Sequence, residues 1–322
     1  MALTAAGLQL AHVHDSHFDV TFDGGLLARY VYRPDYAPIE ALKPYIEPIH
    51  TLGGDLVTAY RPHDHVWHKG IQLALPHVGD QNIWGGYTFV REQGAYIQLD
   101  NNGSMEHEAF ADLTAGAASI DVVEHLGWFS AAGKRMLDER RELRFDVSGA
   151  DDGAWVISFA TTLHNCGSQP LVFSSPTVEG RPDAGYGGLT WRGPRSFTGG
   201  DIIASDDRSG PELMGQQARW LGFVGRHDGN GNASTVVFVD EAEVPDVPTT
   251  WFVRTEPYAI ICASPFFHEA VTVPADASLR LAWAVIVADG AWEAPAIEQF
   301  IKTHGVDRRQ GSTTEDARRT EA

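Results

Sequence analysis

Basic residues are what this chain most lacks. Lys and Arg number 24 against 43 Asp and Glu, a formal net charge of −19. Such a surface repels polyphosphate backbones and anionic lipid alike. Nucleic acid and membrane are therefore excluded as partners, and a neutral or small ligand is expected. Cysteine is nearly missing: Cys166 and Cys262 are the only two. Each lies in a strand-like run, which predicts reduced core thiols and no disulfide framework. Long apolar runs are lacking too. The longest near the end, Leu281–Ala288, falls far short of the ~20 residues that span a bilayer. No basic start followed by an apolar stretch opens the chain, so no export signal is read and a cytoplasmic location is expected.

Helical periodicity is also scarce. Only residues 294–301 show it, with Ile297, Phe300 and Ile301 at i, i+3 and i+4 and Pro295 in the first turn. Elsewhere the pattern has period two, the mark of half-buried strands. Residues 18–22 alternate, turn at Asp23-Gly24-Gly25, and return through residues 26–32. Residues 56–60 and 71–75 read as strands, as do 87–91 and 96–99 on either side of Gly94. Over residues 155–163, Trp155, Ile157, Phe159 and Leu163 share one face, with Ser158, Ala160 and Thr162 opposite. Arg140, Glu142 and Arg144 share a face of an earlier run, and residues 236–239, 259–263 and 279–287 add further strands. Turn signals recur roughly every ten to fifteen residues, the rhythm of an antiparallel sandwich or barrel. No interior linker interrupts it. One all-β domain over residues 1–304 is predicted, followed by a polar tail, 305–322, with too little apolar content to fold.

The densest chemistry lies between two of these runs, in Tyr60-Arg61-Pro62-His63-Asp64-His65-Val66-Trp67-His68-Lys69-Gly70. Loops anchored at both ends by sheet are where functional residues gather. Histidine moves protons near neutral pH and is also the commonest metal ligand. On extended backbone His63 and His65 would project to the same side. A divalent metal held by His63, His65 and His68, with Glu179 or His107 completing the set, is one reading, although the spacing matches no zinc signature. Other clusters are Glu106-His107-Glu108, His125 beside Glu124, Glu179-Gly180-Arg181 and Phe266-Phe267-His268-Glu269. Arg192 and Arg254 are candidate clamps for oxygen pairs. Trp67, Trp84, Trp191 and Trp251 offer flat surface for the C–H faces of a sugar ring, with core packing the alternative for each.

Residues 163–171, with Asn165-Cys166-Gly167 and Pro170-Leu171, resemble the strand–turn–strand of galactose-mutarotase-like β-supersandwiches. From about Pro48 to Gly290 the chain is similar to a bacterial family labelled methane oxygenase PmoA. The shared features are Pro62, Asp64, His65, His68 and Gly70, then Trp84-Gly85-Gly86, Glu179-Gly180, Tyr186-Gly187-Gly188, Trp191-Arg192 and Asp289-Gly290. The chain departs at Trp67, where that family has His. The resemblance implies a supersandwich in which the strand after the Asn-x-Gly turn carries the site, with Glu179 on it and His107 at a family position. It does not imply a membrane methane oxygenase, whose subunits are helical and span the bilayer.

Three functions fit these residues. In the first, a carbohydrate-processing enzyme (epimerase, mutarotase, lyase or hydrolase) uses His65, His68, His107, Glu179 and His268 for proton transfer and Trp67, Trp84, Arg192 and Arg254 for binding. In the second a histidine-bound metal does the chemistry. In the third the protein only binds sugar. The first reading requires its five proton-transfer residues to converge on one face of the sandwich.

Overall fold

The computed structural model describes residues 6–241 and 247–306, so all but the first two residues of the expected tail lie outside the described residues. Period-two alternation becomes two large antiparallel sheets. The nine-stranded sheet runs Leu8–Val13, His17–Phe22, Gly25–Val31, Tyr45–Ile49, Ile71–Ala74, Gly188–Arg192, Ile260–Ser264, Thr250–Arg254 and Gln216–Gln217 in spatial order. The eight-stranded sheet runs Asp201–Ala204, Trp220–Arg226, Ala233–Asp240, Ser278–Asp289, Ala154–Asn165, Arg135–Asp146, Ser119–Phe129 and Ser104–Ala115. Their inner faces form one core. Phe18, Leu73, Trp191 and Ile261 come from the first sheet, and Ile157, Phe159, Phe238 and Trp283 from the second. The expected all-β antiparallel sandwich is what the chain forms.

Each sheet has a partly covered outer face. The helix Ala294–His304 buries Ile297, Phe300 and Ile301 against Trp220, Val237 and Ile286 of the eight-stranded sheet. It ends where Gly305 adopts the left-handed conformation (φ 59°). It is the one α-helix among the described residues, and no helix there is long and apolar enough to cross a membrane. On the nine-stranded sheet, Ala74, Phe252, Ile260 and Cys262 face outward, packed under Trp84 and Phe267.

Two sequence expectations need correction. Residues 56–60 form no strand. They make only isolated bridges, His50 with Leu56 and Tyr60 with Lys69. Residue 59 instead takes its hydrogen bond from outside a ladder, Ala59 N–H donating to the Arg192 carbonyl. Cys262 is a buried thiol as expected, whereas Cys166 is exposed. It sits in the turn that Asn165 organises, where Asn165 Nδ2 donates to the carbonyls of Gln169, Val273 and Pro274.

A buried polar chain links the sheets. Arg141 Nε donates to Glu139 Oε1 (2.8 Å), and Arg141 Nη1 to the Tyr30 hydroxyl (3.0 Å). Tyr30 donates in turn to Glu124, which also accepts from His107 Nδ1 (2.6 Å). Trp128 Nε1 and Thr161 Oγ1 complete the Glu139 shell. His107, packed on Tyr32 and Phe110 (4.6 and 4.5 Å between ring centroids), is thereby a member of the inter-sheet network. Removing one partner of a buried ion pair strands the other charge. Arg141→Met is expected to lower the free energy of unfolding by about 3–5 kcal/mol, measured by urea denaturation. A loss below 1 kcal/mol would show that the network is energetically idle.

Candidate functional site

The outward side chains of the nine-stranded sheet form the floor of a cavity of about 460 Å³. Strand alternation decides which residues reach it. Ile71, Leu73, Trp191, Val253 and Ile261 turn to the core, while Gln72, Arg192, Phe252, Arg254, Ile260 and Cys262 turn away from it. Register places Arg192 beside Ile260, and Ile260 beside Arg254 on the next strand. The walls come from the histidine loop (Asp64, His65, Trp67, His68), from Trp84 and Gly85, and from Tyr96, Arg181, Tyr186 and Tyr258.

The loop is wedged in place. Arg61 and Lys69 both donate to the buried Glu40 carboxylate, at 2.7 Å for the shorter Arg61 bond and 2.7 Å for Lys69. A Cβ on Gly86 (φ +67°) would lie 2.7 Å from the Trp67 indole, and one on Gly85 2.6 Å from Trp67 Cβ. The Trp84-Gly85-Gly86 motif is thus the seat of Trp67, which only glycine backbone permits.

Asp64 is the electrostatic centre. It accepts from His65 Nδ1 (2.9 Å), Arg192 Nη2 (3.3 Å) and Arg195 Nη2 (3.1 Å). Burial alone would raise its pKa, but the His65 hydrogen bond and the Arg192 charge outweigh it and hold the carboxylate ionised. Arg192, 1 % exposed, lies 3.7 Å from the Tyr258 ring centroid, and its Nη1 donates to His68 Nδ1 (3.0 Å). His65 and His68 stack, with centroids 4.7 Å apart. Burial pushes the pKa of His65 down, against the hydrogen bond to Asp64. It pushes that of His68 far down, helped by His65, Arg192 and Lys43. Both imidazoles are therefore neutral at pH 7.

A neutral imidazole carries one N–H, and its partner chooses which nitrogen holds it. An ionised carboxylate only accepts, so the His65 proton sits on Nδ1 and its Nε2 presents a lone pair. A guanidinium only donates, so the His68 proton sits on Nε2. That nitrogen is buried and has no hydrogen-bond partner among the described residues, and neither does the buried Trp67 Nε1. The pair is an acceptor beside a donor.

The other expected site residues lie elsewhere. His63 is exposed, bound through Nδ1 to Arg195 Nη2 (2.8 Å). Among the described residues no three His, Cys, Asp or Glu side chains are gathered to hold a metal ion, so the three-histidine metal set does not form. Glu179 lies in a turn beyond the strand Leu171–Ser174, accepting from Ser174 Oγ (3.0 Å) and Arg91 Nε (3.3 Å). His268 packs at a tilt against Phe267 and bonds the Gly215 carbonyl. None of Glu179, His268 or His107 lines the cavity, so of the five expected to converge only His65 and His68 do. Trp67, Trp84 and Arg254 line it, Arg192 braces it from below, and Trp191 and Trp251 belong to the core. Sequence reasoning passed over Tyr258, and it noted Arg181 only as part of the Glu179-Gly180-Arg181 cluster, without a binding role. Arg181 stood in plain view beside Glu179, and Tyr258 follows an alternating strand.

Residues 17–302 match one family model, described as a family of unknown function, DUF6807. The chain belongs to DUF6807. That description carries no activity, and the methane oxygenase label suggested by the motifs is not part of it. No curated protein matches the chain. Similar solved structures include the α-galactosidase from Lactobacillus brevis (10% identity, TM-score 0.40, covering 94% of this chain and 42% of that one). Galactose 1-epimerase from Lactobacillus acidophilus is another (5% identity, TM-score 0.41, 89% and 100% covered). A third is the galactose mutarotase related enzyme from the same organism (8% identity, TM-score 0.35, 88% and 97% covered). This DUF6807 chain spans about two fifths of the length of the α-galactosidase. Likeness of this order identifies neither a substrate nor a site.

The tautomers of this DUF6807 protein are measurable without a substrate. ¹⁵N NMR of histidine-labelled protein at pH 7 is expected to show His65 protonated on Nδ1 and His68 on Nε2, and Asp64→Asn to disturb His65. Finding His68 protonated on Nδ1 would refute the assignment.

Proposed function

We propose that this protein is a carbohydrate-processing enzyme in which His65 and His68 carry out proton transfer on a substrate held in the aromatic cavity. The observation that carries this reading is the pair of neutral, stacked imidazoles locked in opposite tautomers by Asp64 and Arg192. Environments that assign opposite roles to neighbouring titratable groups are how one site supplies base and acid together.

His65 Nε2 accepts a proton from a sugar hydroxyl or from a carbon beside a carbonyl. The imidazolium that forms lies against the Asp64 carboxylate, which stabilises it. His68 Nε2–H and Trp67 Nε1–H, buried donors without a partner among the described residues, are the groups left to meet the substrate oxygen on which negative charge grows. The proton on His65 then returns to another position, giving isomerisation, or to a departing oxygen, giving elimination. Trp67, Trp84, Tyr186 and Tyr258 supply flat apolar surface for the ring, and the volume suits a small ligand. This assigns to two histidines the roles for which Glu179, His107 and His268 were also candidates.

The test is conversion of a panel of sugars, oxidised sugars and glycosides. His65→Ala is expected to lower the rate on any converted substrate by about 10²–10⁴-fold, and His68→Ala by about 10²–10³-fold. Because the pKa of His65 is pushed below 6.5, kcat/KM should rise with pH along a limb below 6.5 and stay flat through neutrality. Full turnover by the His65→Ala protein would refute the base assignment. Binding without conversion across the panel would leave a sugar-binding module instead.

A further inference from the structure

The chain as a whole is acidic, yet the cavity is not. Among the described residues Asp64 is the only carboxylate lining it, and three donors from His65, Arg192 and Arg195 already engage it. Two guanidinium groups line the cavity itself, Arg181 and Arg254. Neither is within ion-pair distance of a carboxylate among the described residues. Arg181 donates to the Tyr96 hydroxyl and lies 4.7 Å from that ring. Arg254 Nη2 reaches only the Asp183 carbonyl (3.4 Å), and its guanidinium stands 5.0 Å from the Phe252 ring. With both histidines neutral, the lining holds more positive than negative charge. Surface carboxylates further than about 8–10 Å away are largely screened at physiological salt, so the local excess decides what the cavity attracts.

We infer that the cavity is selective for an acidic sugar, one carrying an ionised carboxylate or phosphate beside its ring hydroxyls, and that Arg181 and Arg254 recognise the anionic group. The inference rests on the cavity being the substrate site proposed above. Guanidinium matches this ligand because it stays charged when partly buried and offers paired N–H donors to two oxygens of one group. The placement supports a division of labour. Arg254 lies two strands from Arg192, on the same outward row of the sheet, which by strand spacing is roughly 10 Å. An anion held at Arg254 and Arg181 is thereby set a sugar-sized span along the sheet from Arg192, the guanidinium that bonds His68. The overall charge alone pointed to a neutral ligand. The local geometry reverses that.

The experiment compares matched ligands by titration, following the imidazole ¹⁵N resonances of His65 and His68. Each hexuronate and each hexose 6-phosphate is set against its neutral hexose. At least one acid should bind ten-fold or more tightly than its neutral partner, with an affinity that falls as salt is raised. Comparing the two acid arms distinguishes carboxylate from phosphate. Arg254→Met and Arg181→Met should each narrow the acid-over-neutral ratio by about ten-fold, and Arg254→Lys should restore part of it. If neutral hexoses shift the histidine resonances and bind as tightly as their acids, the selectivity is refuted while the cavity remains the substrate site. If no ligand of either kind perturbs His65 or His68, the substrate-site reading falls and this inference with it.

Discussion

The guanidinium of Arg192 is the piece on which the candidate site depends. One arm donates to His68 Nδ1 and another to Asp64, while the plane lies on Tyr258. A single rigid group thereby keeps the proton of His68 on Nε2 and helps keep Asp64 ionised, which in turn keeps the proton of His65 on Nδ1. Lysine would not serve, since one ammonium lacks the planar fork that reaches two acceptors in fixed directions. A buried cation is costly unless it is paired and hydrogen-bonded. Asp64 and the aromatic face of Tyr258 supply that compensation, and the strand Gly188–Arg192 holds the group in register.

Around this centre the loop is held by buried polar contacts as well as by the seating of Trp67. Glu40 collects Arg61 and Lys69 beneath it. Lys43, fully buried, donates its three protons to the carbonyls of Glu40, Ala41 and Trp84 at 2.9–3.0 Å. Burial and the neighbouring Lys69 push the pKa of Lys43 down, and Lys43 adds to the forces that keep His68 neutral. The cluster thus fastens the Trp84 segment to the loop base and shapes the field at the site. Catalytic groups need a supporting shell that fixes their rotamers, and here the shell consists of fully engaged charges.

How much was legible beforehand varied with the range of the interaction. The faces of residues 155–163 followed from alternation alone, because the pleat sends every second side chain to one side. The helix near Ile297 was legible for the same reason, at period 3.6. Residues 56–60 misled because an apolar alternating run forms a strand only if a neighbour offers a ladder, and here only isolated bridges form. His107 misled differently. Its flanking carboxylates, Glu106 and Glu108, suggested a catalytic cluster, yet its actual partner is Glu124, seventeen residues away on the adjacent strand. Arg181 was seen only as a neighbour of Glu179, because nothing local tells an arginine that will meet a carboxylate from one that will not.

By itself the order of residues established an antiparallel all-β sandwich, the α-helix near Ile297, and a histidine loop carrying Asp64, His65, Trp67 and His68. These rest on short-range periodicity and composition, which neighbours along the chain define. The convergence of that loop with Arg192, Arg254, Tyr258 and Arg181 came only with the folded chain. Cross-strand register sets it: Arg192 meets Ile260 and Ile260 meets Arg254, over separations of more than sixty residues in the first case. The proton positions on the two histidines belong to the same level. An imidazole's tautomer is chosen by the group facing it, and no residue's place in the chain names that group until the sheets have formed.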